Sequence, residues 1–239
     1  MRFYFSSDHL QNTTITNAHH QVIYKVTTPF KPFWSTAIST VWKIIPNSLD
    51  AFIRDEDLDR LEDDSSNRET SFYGAPSNGV DMKDNFGELA LIEWHKLTTS
   101  RIRWGGSIGL GKVDTEKFIP ARGFARRTRI FVGPDGHSYR WYLGFRVCSL
   151  YHQWDMASQY PIAQYHRYKT GLIRGREAQH GYLDFPQPNH FDELKQGQGD
   201  HDAEGESTGP ISPALLDMII VTFIYCEELR KDRPELCSV

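Results

Sequence analysis

The chain has 239 residues, of which 39% are hydrophobic, 13% aromatic and 24% charged, which excludes a disordered or collagen-like polypeptide and suits a folded domain with a real core. Lys+Arg 27 against Asp+Glu 31 leaves a net −4, too near balance for a polyanion binder on overall charge, so any such role must come from local patches. Three cysteines, Cys148, Cys226 and Cys237, make neither a disulfide framework nor a metal-finger spacing and point to a reducing, cytoplasmic setting.

Residues 1–8 lack the apolar stretch of a secretory signal, so no export is expected. Two β-prone runs, 13–16 and 22–26, flank the polar residues 17–21 as in a hairpin, and a β-branched third run over 37–45 stops at Pro46. Residues 50–88 then carry twelve acids and four bases, the mark of a solvated acidic insert centred on 50–85. Strand character returns at 88–95 and 100–104. It is clearest at 127–132 and 138–143, where Gly133-Pro134-Asp135-Gly136 supplies a proline that presets φ, a capping aspartate and a glycine for the left-handed position. Further strands are expected near 145–150 and 162–168, and residues 186–210 read as an acidic, flexible loop.

The chain closes on one convincing helix over 212–231. Ser212 and Pro213 stand at its start and Arg230, Lys231 and Arg233 near its end, as capping and the helix dipole favour. Between them Leu215, Leu216, Met218, Ile219, Ile220, Val221, Phe223, Ile224 and Tyr225 point in nearly every direction around the axis, so protein must surround the helix. The longest apolar run, 218–226, is about half what a membrane span needs. The pattern predicts a single, mainly β (α+β) domain over 1–239: an antiparallel β-barrel wrapped around a hydrophobic C-terminal helix.

Four stretches carry a resemblance: the 13–26 hairpin with VIYKVTTP, the ALIEW strand, the GPDGHSYRWYL hairpin and the terminal LLDMIIVTFIYCEELRKDR. Over roughly 2–232 the chain resembles the fungal domain of unknown function family 6593. That family is similar in layout to the tubby C-terminal, LURP-one and phospholipid-scramblase group, in which a barrel encloses a hydrophobic C-terminal helix. The resemblance implies a tubby-like fold and brings no established activity and no site residue.

Residues 101–146 hold ten Arg and Lys against three acids, and guanidinium groups on adjacent strands can clamp phosphate bidentately. The functional expectation is binding of an anionic lipid headgroup or apolar small molecule through a basic strand face, peripherally at a membrane, with no nucleic acid. Arg126, Arg127, Arg129 and Arg140 are the first ligand-binding candidates, and Arg101 and Arg103 the second. The bland reading is a solvent face neutralised by the acidic segments. An alternative is an isomerase, cyclase or hydrolase using His152, Asp155 or His166 in a pocket lined by aromatics such as Trp141, Trp154, Tyr160 and Tyr165. A third is a protein-interaction scaffold.

Other motifs fail on their own terms. Residues 105–113 superficially fit a nucleophile elbow and a phosphate loop, yet Val113 stands where Ser or Thr is required and no helix period follows, so a glycine-rich loop between strands is expected. Asp55-Glu56-Asp57-Leu58-Asp59 lacks the glycine and bidentate glutamate of a calcium loop. His19-His20 and the evenly spaced His152, His166 and His180 have no ligand geometry in sequence, so no metal and no cofactor are expected.

Overall fold

The computed structural model describes residues 1–30, 36–45, 85–95, 98–105, 109–123, 126–145, 147–153, 161–169, 179–186 and 211–232. The bulk of both acidic segments, the Asp55–Asp59 motif, Arg146, Trp154, Asp155, Tyr160, Arg233 and Cys237 lie outside the described residues. The strands are β1 (Arg2–Phe5), β2 (Thr13–Thr16), β3 (Val22–Thr27), β4 (Ala37–Ile44), β5 (Phe86–Trp94), β6 (Arg101–Trp104) and β7 (Lys112–Asp114). A one-turn helix α1 (Thr115–Phe118) follows, then β8 (Ala121–Arg122), β9 (Thr128–Val132), β10 (Ser138–Leu143), β11 (Cys148–His152), β12 (Ala163–His166), β13 (Tyr182–Asp184) and the long helix α2 (Pro213–Asp232).

All thirteen strands form one antiparallel sheet in the order β7-β6-β5-β4-β3-β2-β1-β13-β12-β11-β10-β9-β8. The two ends of the chain's β region meet in its middle, where β1 pairs with β13 in the register Phe3↔Leu183. Strand alternation turns Phe3, Phe5, Ile15, Tyr24, Val26, Ile92, Ile102, Phe131, Trp141, Leu150, Tyr165 and Leu183 inward, each at most 3% exposed. The hairpin turn at 133–136 forms as its residues require: Asp135 Oδ1 accepts the His137 N–H at 3.1 Å and Gly136 takes φ 79°.

The closed barrel expected from the sequence is not formed by the backbone ladder, because β7 and β8 are its two edges. These edges are consecutive in the chain and α1 spans them. Thr115 donates its N–H to Ser100 O at 2.9 Å, and the Ile130 N–H reaches Pro120 O at 3.2 Å. The Phe118 ring lies 5.7 Å from Trp104 on β6 and 6.5 Å from Phe131 on β9. Side chains thus bridge the gap that hydrogen bonds leave open. The expectation of no helical period after residue 112 is corrected by α1, whose single turn is too short to show one. The strand expected over 145–150 begins at Cys148, because Gly144 and Val147 close a turn with an N–H···O bond of 3.0 Å. β5 starts at Phe86, two residues before the strand run read from Glu88 and directly after the insert bounded at residue 85.

The sheet curves around α2, whose residues from Met218 to Glu228 are all buried. Ser212 Oγ accepts the Leu215 N–H at 3.2 Å, the cap its sequence suggests. Phe223 packs at the centre, with ring centroids 4.9 Å from Tyr165, 5.5 Å from Phe5 and 5.7 Å from Trp141. Full burial of one such side chain stabilises by roughly 1.5–3 kcal/mol.

Replacing Phe118 with Ala removes the ring between the two edges. The expected cost is about 3 kcal/mol of unfolding free energy, with hydrogen exchange quickening first at the β7 and β8 amides. Urea denaturation with exchange mass spectrometry measures both.

Candidate functional site

The charges of the sheet divide into two regions of different character. On the outer face of β5–β7, basic and acidic side chains alternate across the strands. Arg101 donates to Asp114 at 2.9 Å, Lys112 to Glu93 at 2.8 Å and Arg103 to Glu88 at 3.4 Å. Lys112 also holds the Glu93 carboxyl below its ordinary pKa, mainly by that hydrogen bond. Arg101 and Arg103, the second-choice candidates, are therefore half-exposed members of a neutralised lattice, in which each pair contributes little in high dielectric.

Strands β8–β11 differ. From residue 117 to 154 the sequence contains seven Arg and Lys and a single acid, Asp135, which sits at the hairpin tip beyond the far end of β9. Arg126 is exposed in the turn after β8, with φ 52°, and its N–H closes that turn on Gly123 O at 3.1 Å. Arg127 and Arg129 share the inner face with Phe131, and Trp141 lies opposite Arg129. Arg129 is 4% exposed; one of its terminal nitrogens donates to Ile119 O at 3.3 Å, while its Nε finds no acceptor. Arg127 likewise has Nε and Nη2 shielded from solvent without an acceptor.

Arg140 belongs to the opposite, outer face, where it lies over the Tyr151 ring at 5.6 Å. The structure therefore brings Arg127 and Arg129 together, puts Arg126 beside them at the strand end, and turns Arg140 away. Among the described residues these two guanidinium groups on one inner face have solvent-shielded donors and no ion pair, an arrangement that carries the desolvation cost of uncompensated buried charge.

The candidates for an enzyme are dispersed. His152 packs inward against Tyr139 with ring centroids 5.1 Å apart, whereas His166 faces outward and stacks on Tyr182 at 4.5 Å. The β11–β12 register, Ser149↔Gln164, sets them at opposite ends of these strands, on the order of 15 Å apart. Trp141 and Tyr165 are core residues packed on Phe223, and Tyr142 is 44% exposed on the outer face. The loop after Gly105 joins β6 to β7, with Gly109 and Gly111 at positive φ and a strand following, as expected of a loop between strands.

The buried polar cluster at the C-terminal end of α2 was missed in the sequence. Glu227, fully buried, accepts two hydrogen bonds from Arg230, one at 2.6 Å from Nε, and a third from the Cys148 thiol at 3.2 Å. Arg230 Nη1 also donates to Phe145 O at 3.0 Å, which pins the β10–β11 turn to the helix. Burial, and then the charge of Glu227, push the Cys148 thiol well above its ordinary pKa, which disfavours its thiolate form. Glu-x-x-Arg spacing on a helix was the available signal, but it is common on solvated faces.

The chain belongs to the Family of unknown function (DUF6593), whose model matches residues 8–232. No curated protein and no solved structure matches the chain.

Removing the Arg230 side chain leaves Glu227 buried with Arg167 as its nearest cation at 3.8 Å. Arg230→Ala should cost about 3–5 kcal/mol in urea unfolding, and Arg230→Lys less. A pH effect follows from His166, whose pKa burial holds below 6.5. The unfolded chain then binds the proton first, so the contribution is intact above about pH 6.5 and is lost as pH falls through the folded value. Unfolding curves at pH 7.5 and 5.5 should show this loss in the wild type and less of it in His166→Gln.

Proposed function

We propose that this member of the Family of unknown function (DUF6593) is a non-catalytic domain that binds a phosphorylated anion at Arg127 and Arg129, with Arg126 at the entrance. The observation that carries the reading is the pair of inward guanidinium groups whose shielded N–H donors have no carboxylate partner among the described residues, set in strands almost free of acids. Guanidinium is the side chain best suited to this task, since its planar fork matches two phosphate oxygens at once. A lipid headgroup and a soluble phosphate ester share that chemistry.

The reading extends to fold and location. A curved antiparallel sheet around a buried C-terminal helix supports kinship with the tubby C-terminal, LURP-one and scramblase-like group, although the seam at α1 differs from a fully hydrogen-bonded barrel. No helix among the described residues is long and apolar enough to cross a membrane. A cytoplasmic protein that attaches peripherally to membranes is the setting this reading implies.

Calorimetric titration with a soluble inositol phosphate should give binding that weakens with salt. Arg127→Gln should lower the affinity at least tenfold, about 1.4 kcal/mol, while Arg103→Gln, a member of the neutralised lattice, should leave it unchanged. Equal affinity in wild type and Arg127→Gln removes the basis of the proposal.

A further inference from the structure

Arg127 and Arg129 offer more than positive charge, because their nitrogens without acceptors form a defined set. In Arg127 they are Nε and Nη2, which share one edge of the guanidinium plane and point their N–H bonds the same way. Such an edge takes two oxygens of one oxyanion side by side. In Arg129 one terminal nitrogen is engaged by Ile119 O at 3.3 Å, and Nε is left over. The inner face therefore presents three shielded N–H donors on two cations, with no acceptor for them among the described residues.

The backbone keeps both side chains within reach of one small ligand. Arg127 continues the β9 ladder by one position, since its carbonyl accepts the Leu143 N–H at 2.8 Å. Residues two apart on a strand face the same side with Cα atoms about 6.5 Å apart, a gap that two arginine side chains can close. Exposure falls along this stretch, from exposed Arg126 through half-buried Arg127 to buried Arg129. The way in therefore runs from the Arg126 turn toward Trp141, Leu143 and Cys226, all fully buried. Burial raises the Cys226 thiol pKa and the charge of Arg129 opposes that rise, so the field of this guanidinium reaches α2. Glu227, the buried acid at the next position of that helix, is engaged by Arg230, Cys148 and Arg167.

These features discriminate among oxyanions. A carboxylate or a phosphodiester has two free oxygens, which fill the Arg127 edge and leave Arg129 Nε bare, and its single negative charge balances one cation of the two. A diester also carries two substituents, and with its oxygens on the arginines one of them is driven inward among packed apolar side chains. A phosphomonoester has three free oxygens, a charge of roughly −1.5 to −2 at neutral pH, and one substituent that leaves toward Arg126. Resting on the anion reading above, we infer that the site takes a terminal phosphate, a monoester, and rejects phosphodiesters. The Arg127 edge holds two of its oxygens and Arg129 Nε the third.

Inositol 1-phosphate and glycerophosphoinositol carry one phosphate at the same ring position, the first as monoester and the second as diester. Calorimetric titration of the full chain with each is the test. Wild type should bind the monoester about tenfold or more tightly than the diester, the effect of one further hydrogen bond between charged groups. Arg127→Gln should weaken both compounds. Arg129→Gln should weaken the monoester about tenfold and leave the diester nearly unchanged, so that the preference disappears. The ratio in wild type decides the matter even where a variant folds poorly. Equal binding of monoester and diester by wild type, or a folded Arg129→Gln that keeps the preference, overturns this inference while the anion reading stands. Failure of wild type to bind either compound overturns the two together.

Discussion

Everything in this fold depends on burying α2 on all sides at once. A helix in that position has no solvent face on which to leave a polar group, so each buried polar side chain it carries must find a partner within the protein. Asp217 accepts the Tyr24 hydroxyl and the Lys43 ammonium, both at 2.7 Å. Thr222 accepts the Trp141 indole N–H at 3.0 Å, Tyr225 donates to Thr115 Oγ1 at 3.2 Å, and Glu227 takes Arg230 and Cys148. These contacts fall along the length of the helix and reach β3, β4, α1, β10 and β11. Apolar packing supplies the driving force, and the polar set fixes rotation and depth, because sliding the helix by one residue would leave several buried groups unpaired at a cost of about 1–3 kcal/mol each.

The enclosure also explains which parts were legible in the sequence. Alternation and turn chemistry place most long strands well, since the 133–136 turn and the all-round apolar run at 218–226 have few other interpretations. The elements that escaped, β1, β7, β8, β13 and α1, are two to four residues long and owe their form to neighbours distant in sequence. The Arg2–Asp184 pairing across β1 and β13 is one such relation. The candidate site was legible as a cluster of basic residues and not in its geometry. Counting charges over 101–146 finds the basic region, but nothing local reveals that Arg101 and Arg103 are neutralised across strands, or that Arg129 points inward and Arg140 outward. That parity is set by which of Trp141 and Tyr142 faces the core, and packing against the enclosed helix decides it.

The distribution of charge is accordingly a property of topology. β5–β7 and β8–β11 flank the same seam, yet the first group interleaves both signs on its outer face and the second carries basic groups on both faces with almost no acid. Surface ion pairs of the first kind contribute little to stability, but they remove the field that would draw anions there. Among the described residues, the basic side chains without an acidic neighbour across the strands therefore lie on the β8–β11 side of α1.

The pairing of β1 with β13 has a kinetic side. The amino group of Met1 donates to Phe185 O at 3.0 Å, a contact spanning 184 positions, and α2 comes later still in the chain. As the polypeptide emerges from the ribosome, twelve strands precede the one that joins the two halves of the sheet, and the apolar inner face stays uncovered until the helix arrives. A topology with such high contact order folds slowly and leaves its strand interiors open to wrong partners in the meantime. This protein should lean on chaperones during synthesis far more than its size suggests.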